Sequence, residues 1–110
     1  MRIRLVTQQS IEEFIEQNAN SLNGFRTWLT LLNSANWEEP SDMKETYKTA
    51  DLLGNGTNRV IFNIGGNNYR MICKYQFGAT QVHLYIKWIG THSDYTKLCK
   101  NNKQYTISTY

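Results

Sequence analysis

Residues 59–95 of this 110-residue chain read RVIFNIGGNNYRMICKYQFGATQVHLYIKWIGTHSDY, and this stretch decides the fold. Apolar and polar side chains alternate over residues 59–64, 69–77 and 82–89, as in strands that bury one face. Gly65-Gly66-Asn67 lies between the first two runs and supplies the positive φ angles that a tight hairpin needs. The stretch therefore predicts three consecutive antiparallel strands.

A helix is expected to follow the third strand, because Thr91 and Asp94 have the spacing of a helix cap. Outside this stretch, Arg2–Val6 alternates like a short strand, and a helix is predicted from Ser10, where Ser10 and Glu13 have capping-box spacing. A second helix is predicted from an apolar stripe formed by Leu22, Phe25, Trp28, Leu29 and Leu32. A short helix over Asp42–Lys48, capped by Ser41, is expected next, followed by a loop over Leu53–Asn58.

The resulting order, β-α-α-(α)-β-β-β-α, predicts an α+β domain of two layers. Its N-terminal helices pack on one face of a mainly antiparallel sheet, and a short helix lies near the C-terminus. At 110 residues the chain is expected to form a single domain over residues 1–110. Residues 100–110 are polar, and either an edge strand over Tyr105–Ile107 or a flexible tail is compatible with them.

Alternation assigns the strand side chains to two faces. In the last strand it places Val82, Leu84, Ile86 and Trp88 towards the helices, and His83, Tyr85, Lys87 and Ile89 on the other face. The other face of the middle strand presents Arg70, Ile72 and Lys74. Basic and aromatic side chains would then share one sheet surface.

Charge is divided unevenly along the chain. Residues 1–57 carry a net charge of −3 and residues 58–110 a net charge of +6. A basic C-terminal half favours contact with a polyanion, although an ordinary surface with uneven charge fits the same numbers.

Two cysteines, Cys73 and Cys99, form no C-x-x-C pair and imply no disulfide framework. Together with His83 and His92 they lack metal-ligand spacing, so neither a metal site nor a cofactor is predicted. Neither a signal peptide nor an apolar run of membrane-spanning length is recognisable, and a cytoplasmic location without membrane contact is expected.

The basic and aromatic surface has two interpretations. Arginine binds phosphate through a planar fork, lysine binds it as a point charge, and aromatic rings stack on unpaired bases. Single-stranded RNA therefore suits such a face. The solvent-facing side of an ordinary one-sided sheet suits it equally well, because cross-strand Tyr–Lys neighbours are common there.

His92 and Tyr95 are three residues apart in the last helix and share one side of it. The positive end of the helix dipole disfavours an imidazolium at His92, and a neutral imidazole can serve as a base. A surface histidine and a tyrosine packed beside Leu98 explain the same residues.

Residues 36–98 also resemble the HigB toxins, small RNA-cutting proteins of bacterial toxin–antitoxin pairs with a RelE-type fold. The matching positions are Trp37, Pro40, Asp42, Lys44, Tyr47, Ala50-Asp51, Asn58–Ile64, Gly66-Asn67, Tyr69-Arg70, Tyr85–Lys87, Gly90–His92, Asp94-Tyr95 and Lys97. The resemblance implies ribosome-dependent cleavage of messenger RNA through attack by the RNA's own 2′-hydroxyl, without a metal.

By that resemblance Arg70 holds the scissile phosphate, and Lys87 stands where the family tends to have arginine. His92 and Tyr95 match a Thr-His-x-x-Tyr segment and are implied as a proton-transfer or base-stacking pair, in either order. These four residues are the expected catalytic set. Arg59, Lys74, Tyr85 and Lys97 are the expected RNA-binding residues.

The implied partners are messenger RNA on the ribosome and a HigA-like helix-turn-helix antitoxin. Two alternatives stay open at this point. One is a toxin of the same fold that inhibits a protein target such as gyrase, and the other is an RNA-binding module without catalysis.

Overall fold

The computed structural model describes residues 1–110 and confirms the α+β class. Its strands are β1 Arg2–Val6, β2 Asp51–Leu53, β3 Arg59–Ile64, β4 Tyr69–Phe77 and β5 Gln81–Thr91. Its helices are α1 Gln9–Gln17, α2 Leu22–Ser34, α3 Met43–Thr46 and α4 His92–Lys100. None of these helices has the length and hydrophobicity needed to span a bilayer.

The five strands form one sheet in the order β1-β5-β4-β3-β2. β1 runs parallel to β5, and the other neighbours are antiparallel. Gly65 and Gly66 have φ angles of 63° and 68° in the β3–β4 hairpin, as the sequence predicts. The three-residue edge strand β2 was not predicted, because it is too short to show alternation.

One sheet face is covered by α1 and α2, as expected. Seventeen buried apolar residues form this main core, with Val60, Phe62 and Ile64 from β3 packed against Phe25, Trp28 and Leu32 of the second helix and the elements around them. Tyr47 joins the layers: its ring stacks on Trp28 at 5.5 Å, and its hydroxyl donates to the Trp28 carbonyl at 2.7 Å. The main core thus lies between the helices α1 and α2 and one face of the sheet.

Gly24 allows α2 to lie directly on the β3–β4 hairpin. A Cβ atom at this position would lie 2.5 Å from the Gly65 nitrogen and 2.8 Å from the Gly65 Cα. Glycine lowers the stability of a helix, but at this position it lets the helix touch the Gly65 backbone, which any larger residue would overlap.

We expect Gly24→Ala to lower the free energy of unfolding by about 1–3 kcal/mol, since overpacking against backbone cannot be relieved by a rotamer change. The direction of the change in the free energy of unfolding tests the close packing, because glycine to alanine inside an unobstructed helix stabilises by up to ~1 kcal/mol. Denaturant unfolding measures the change. Gly54→Ala is the matched control, because a Cβ there meets nothing within 4 Å. A stabilised Gly24→Ala variant would contradict the close packing.

Two helix starts differ from prediction. Ser10 is not a cap: α1 begins at Gln9, and Ser10 is buried in its first turn, where its N–H donates to the Thr7 carbonyl at 2.9 Å. Ser41 is not a cap either. Glu39 and Asp42 form the capping box of a short 3-10 turn that leads into α3. No side chain caps α1, so the capping-box spacing of Ser10 and Glu13 is coincidental there. Ahead of α3, the polar neighbours Glu39 and Asp42 cap in place of Ser41.

The opposite sheet face, here called the distal face, is partly covered. Leu98 of α4 packs on Ile61 and Ile72, with Trp88, Tyr95 and other half-buried side chains around this second, smaller core. The distal face is therefore covered by α4 at one end, which strand alternation alone does not predict.

A β-bulge changes the alternation of β5. Ile72 pairs with Trp88 while Cys73 pairs with Ile86, so Lys87 is an extra residue in β5. Beyond it the side chains exchange faces: Ile89 is buried in the main core, and Trp88 lies on the distal face. The predicted faces of Trp88 and Ile89 are thus wrong, and those of His83 and Tyr85 are correct.

The C-terminal segment 103–110, here called the strap, crosses the distal face. The Arg59 guanidinium donates to the carbonyls of Gln104 at 3.3 Å and Ile107 at 2.7 Å. Farther on, the Thr109 N–H donates to the Lys87 carbonyl at 2.8 Å. The strap thus runs from β3 to β5 and divides the distal face into two parts.

Candidate functional site

Arg70 lies at the hairpin end of the distal face, opposite Gly90 in β5. Its guanidinium donates to the Asn67 side-chain oxygen at 2.6 Å and to the Tyr69 carbonyl at 3.1 Å. The side chain is 8% exposed. These bonds use part of the donor fork and orient it, and no carboxylate pairs with it, so the positive charge is available to an anion.

Tyr95 projects from α4 towards the same end of the sheet. Burial raises the pKa of its phenol well above the ordinary value, and Cys99 and Asp51 raise it further, whereas Arg70 acts in the opposite direction. Tyr95 packs against the second core, which includes Ile72, two residues after Arg70 on β4. A phenol held in its protonated form can donate a proton or a hydrogen bond but is a poor base.

His92 begins α4 and is exposed. Its N–H donates to the Asn68 carbonyl at 2.9 Å, which attaches the start of the helix to the same hairpin that orients Arg70. Thr91 caps the helix as predicted, because its hydroxyl accepts from the Asp94 N–H at 3.1 Å. His92 is one helical turn before Tyr95 and therefore on the same side of α4.

Trp88 completes this group, which we call the hairpin cluster: Asn67, Arg70, Trp88, His92 and Tyr95. The rings of Trp88 and Tyr95 are 6.2 Å apart and tilted by 45°. The Trp88 indole also covers Gly90, where a Cβ atom would lie 2.4 Å from the ring. Gly90 thus lets a half-buried indole lie flat against the strand beside Arg70.

The predicted residues Lys74, Tyr85 and Lys87 form a second group, on the other side of the strap. Lys74 and Tyr85 are direct cross-strand partners, and the Lys87 ammonium lies 5.9 Å from the centre of the Tyr85 ring. Trp88 separates Lys87 from Gly90, the residue opposite Arg70. The structure therefore brings Arg70, His92 and Tyr95 together but places Lys87 with the expected RNA-binding residues.

Arg59 and Lys97 lie in neither group. Arg59 is 6% exposed, its guanidinium is bound to the strap carbonyls, and burial lowers its pKa. Lys97 is exposed on α4, two residues beyond Tyr95 and so on the opposite side of the helix.

Two members of the hairpin cluster were not identified from the sequence. Uninterrupted alternation predicts Trp88 in the main core, and the bulge at Lys87 moves it to the distal face. The sequence indicates Asn67 as a turn residue and as a family match, but its hydrogen bond to Arg70 is visible only in the structure. No group of three or more His, Cys, Asp or Glu side chains is placed to hold a metal ion. Cys73 is fully buried, and burial raises the pKa of its thiol, so it remains protonated.

Comparison with known protein families matches residues 21–98 to the HigB toxin family, described as the RelE-like toxic component of a toxin-antitoxin system. The match covers well over half of the chain, including α2, all strands except β1, and most of α4. No curated protein sequence matches the chain. From its fold and from this match, the chain belongs to the HigB toxin family of RelE-like toxins.

Proposed function

We propose that this toxin is a metal-independent endoribonuclease that cuts messenger RNA on the ribosome, in the cytoplasm. The observation that carries the proposal is the hairpin cluster, where Arg70, Tyr95 and His92 come from β4 and α4 to one end of the distal face. A phosphate-binding guanidinium beside a protonated phenol and an exposed imidazole can serve each step of strand cleavage.

Cleavage requires three chemical contributions from the site. The ribose 2′-hydroxyl must lose a proton, the pentacoordinate phosphorus must be stabilised, and the leaving 5′-oxygen must gain a proton. The 2′-oxygen then forms a bond to phosphorus while the bond from phosphorus to the 5′-oxygen breaks. The products are a 2′,3′-cyclic phosphate and a free 5′-hydroxyl.

We assign these three catalytic roles to three residues. Arg70 holds the non-bridging phosphate oxygens with the donors that Asn67 and Tyr69 leave free. Tyr95 is the acid for the leaving oxygen, because its raised pKa keeps the proton on the phenol until negative charge develops nearby. His92 accepts the proton of the 2′-hydroxyl.

The second group binds the RNA chain rather than the reacting phosphate. Lys74 and Lys87 neutralise flanking phosphates, and the Tyr85 ring supports a base. Lys87 thus moves from the expected catalytic set to the binding set in this proposal, because Trp88 lies between it and Gly90. Arg59 and Lys97, expected from the sequence to bind RNA, are not given this role.

The small number of acid–base groups in the hairpin cluster supports dependence on the ribosome. It contains a single histidine, so correct alignment of the 2′-hydroxyl with the phosphate has to come from the bound substrate. A ribosome that holds messenger RNA in a bent, ordered path supplies that alignment.

As a toxin of a toxin–antitoxin system, the protein has an antitoxin partner. We propose that this partner is a HigA-like helix-turn-helix protein encoded beside it. A small reading frame of that type found next to the toxin gene would support this part of the proposal, and its absence would contradict it.

The proposal predicts that expression of the toxin alone arrests growth and cuts translated messages. Mapping of RNA 5′ ends after induction should show new ends within translated regions, each carrying a hydroxyl. Co-expression of the neighbouring antitoxin is the control and should abolish them. Intact messages together with inhibited DNA supercoiling would instead establish the gyrase-inhibiting alternative.

A further inference from the structure

A pocket lies on the distal face, on the other side of the strap from the hairpin cluster. Its volume is about 380 Å³. Six residues line it, namely Asn58, Lys74, Tyr75, Gln76, Tyr85 and Lys87. None of them is a carboxylate, and two are lysines that take part in no ion pair. Such a lining favours an anionic ligand.

The pocket also offers an aromatic surface. The ring of Tyr85 is flanked on the strand by His83, whose ring is nearly parallel to it at 6.1 Å, and by the Lys87 ammonium. Tyr85 and Lys87 are each only partly buried. Exposed aromatic rings between positive charges suit a ligand that has both a flat ring and a phosphate.

Gln76 gives the pocket a directional polar group. The Tyr85 hydroxyl donates to its side-chain oxygen at 3.3 Å, which leaves the Gln76 amide NH2 free to donate. Asn58, which also lines the pocket, has a φ of 54° and an exposed side chain. Two amides at the rim of an aromatic pocket can read the hydrogen-bonding edge of a base.

The pocket is separate from the proposed site of cleavage. Lys74 lies four residues beyond Arg70 on the same strand, a distance of about 13 Å at 3.3 Å per residue. The pocket and Arg70 are therefore separate positions on the sheet, and the strap lies between them.

We propose that this pocket is a subsite for one unpaired nucleotide of the RNA, remote from the cut bond, with its base on Tyr85 and its phosphate between Lys74 and Lys87. Gln76 selects the base by donating to its edge. The proposal rests on the proposed function for its substrate class, RNA, and adds where a flanking base is held and which side chain selects it.

Binding of a short single-stranded RNA with methylated 2′ oxygens tests the subsite without cleavage. Fluorescence anisotropy should show Tyr85→Leu weakening binding roughly tenfold and Tyr85→Phe retaining most of it, since stacking needs the ring. Lys74→Gln should weaken binding and reduce the salt slope by about one ion. Lys48→Gln removes the same charge from an exposed position beyond α3 and is the control.

Selectivity is tested with RNAs that differ in one base. Gln76→Ala should reduce the spread of affinities among the four bases at one position while Tm stays at the wild-type value. Wild-type affinity in Tyr85→Leu and Lys74→Gln, or no binding by the wild-type protein, would overturn the subsite. Cleavage on ribosomes is measured separately: binding that depends on Tyr85 in a protein that cuts no RNA supports the subsite and contradicts the proposed function.

Discussion

An Arg70→Ala variant is expected to cut ribosome-bound messenger RNA 10²–10³-fold more slowly than the wild-type toxin, the cost of removing one preorganised donor to a developing oxyanion. The guanidinium is held by Asn67 and the Tyr69 carbonyl before substrate arrives, so its charge needs no reorganisation in the transition state. Single-turnover cleavage on programmed ribosomes measures the loss.

Arg70→Lys should recover only part of the rate, because an ammonium keeps the charge but cannot bind two phosphate oxygens in one plane. Arg70 is 8% exposed, so the Tm of each variant has to be measured beside its activity. Asn67→Ala is a useful companion: it leaves the charge in place and removes one orienting bond, and it should reduce the rate less than Arg70→Ala. A folded Arg70→Ala variant with wild-type cleavage would remove Arg70 from the site.

The second large effect is expected at His92 and Tyr95. His92→Gln should reduce cleavage by roughly 10²–10⁴-fold, the usual contribution of a positioned acid or base, and leave RNA binding unchanged. Because His92 is exposed and its contact with Asn68 is made by its backbone N–H, little loss of stability is expected.

Tyr95→Phe separates two roles of the tyrosine. If the phenol donates the proton, Phe loses as much activity as Ala; if the ring stacks on a base, Phe is mild and only Ala is severe. Tyr95→Ala should also lower Tm, because the ring packs beside Trp88 in the second core. Full cleavage by both His92→Gln and Tyr95→Ala would show that α4 contributes no catalytic group.

Most of the fold could be predicted from local patterns. Three predicted features depend only on residues close in sequence, and each is confirmed. They are the alternation of β3 and β4, the two positive-φ glycines of their hairpin and the Thr91 cap. The bulge at Lys87 could not be predicted, because a tryptophan at position 88 is compatible with the buried core face and with a half-buried place on the distal face. Its position depends on how β5 pairs with β4, which alternation within one strand does not report.

In the candidate site, too, local features could be predicted and contacts between distant elements could not. The sequence places Arg70, His92 and Tyr95 on suitable faces of their own elements, and the structure brings these elements together. It also puts Arg59 under the strap, a contact between side chains and carbonyls more than forty residues apart. Carbonyl acceptors are present at every residue, so no composition or spacing marks which of them an arginine will bind.

The parallel pairing of β1 with β5 has a consequence for the order in which the nascent chain folds. Arg2 pairs with Gln81, which is far from it in sequence, and the strap that covers the distal face follows both in the chain. A chain synthesised only to Phe77 contains the β3–β4 hairpin and Arg70 but neither α4 nor the strand that binds β1. Contacts so distant in sequence form slowly and late. The toxin therefore completes its sheet and gathers the hairpin cluster only after β5 and α4 have been synthesised.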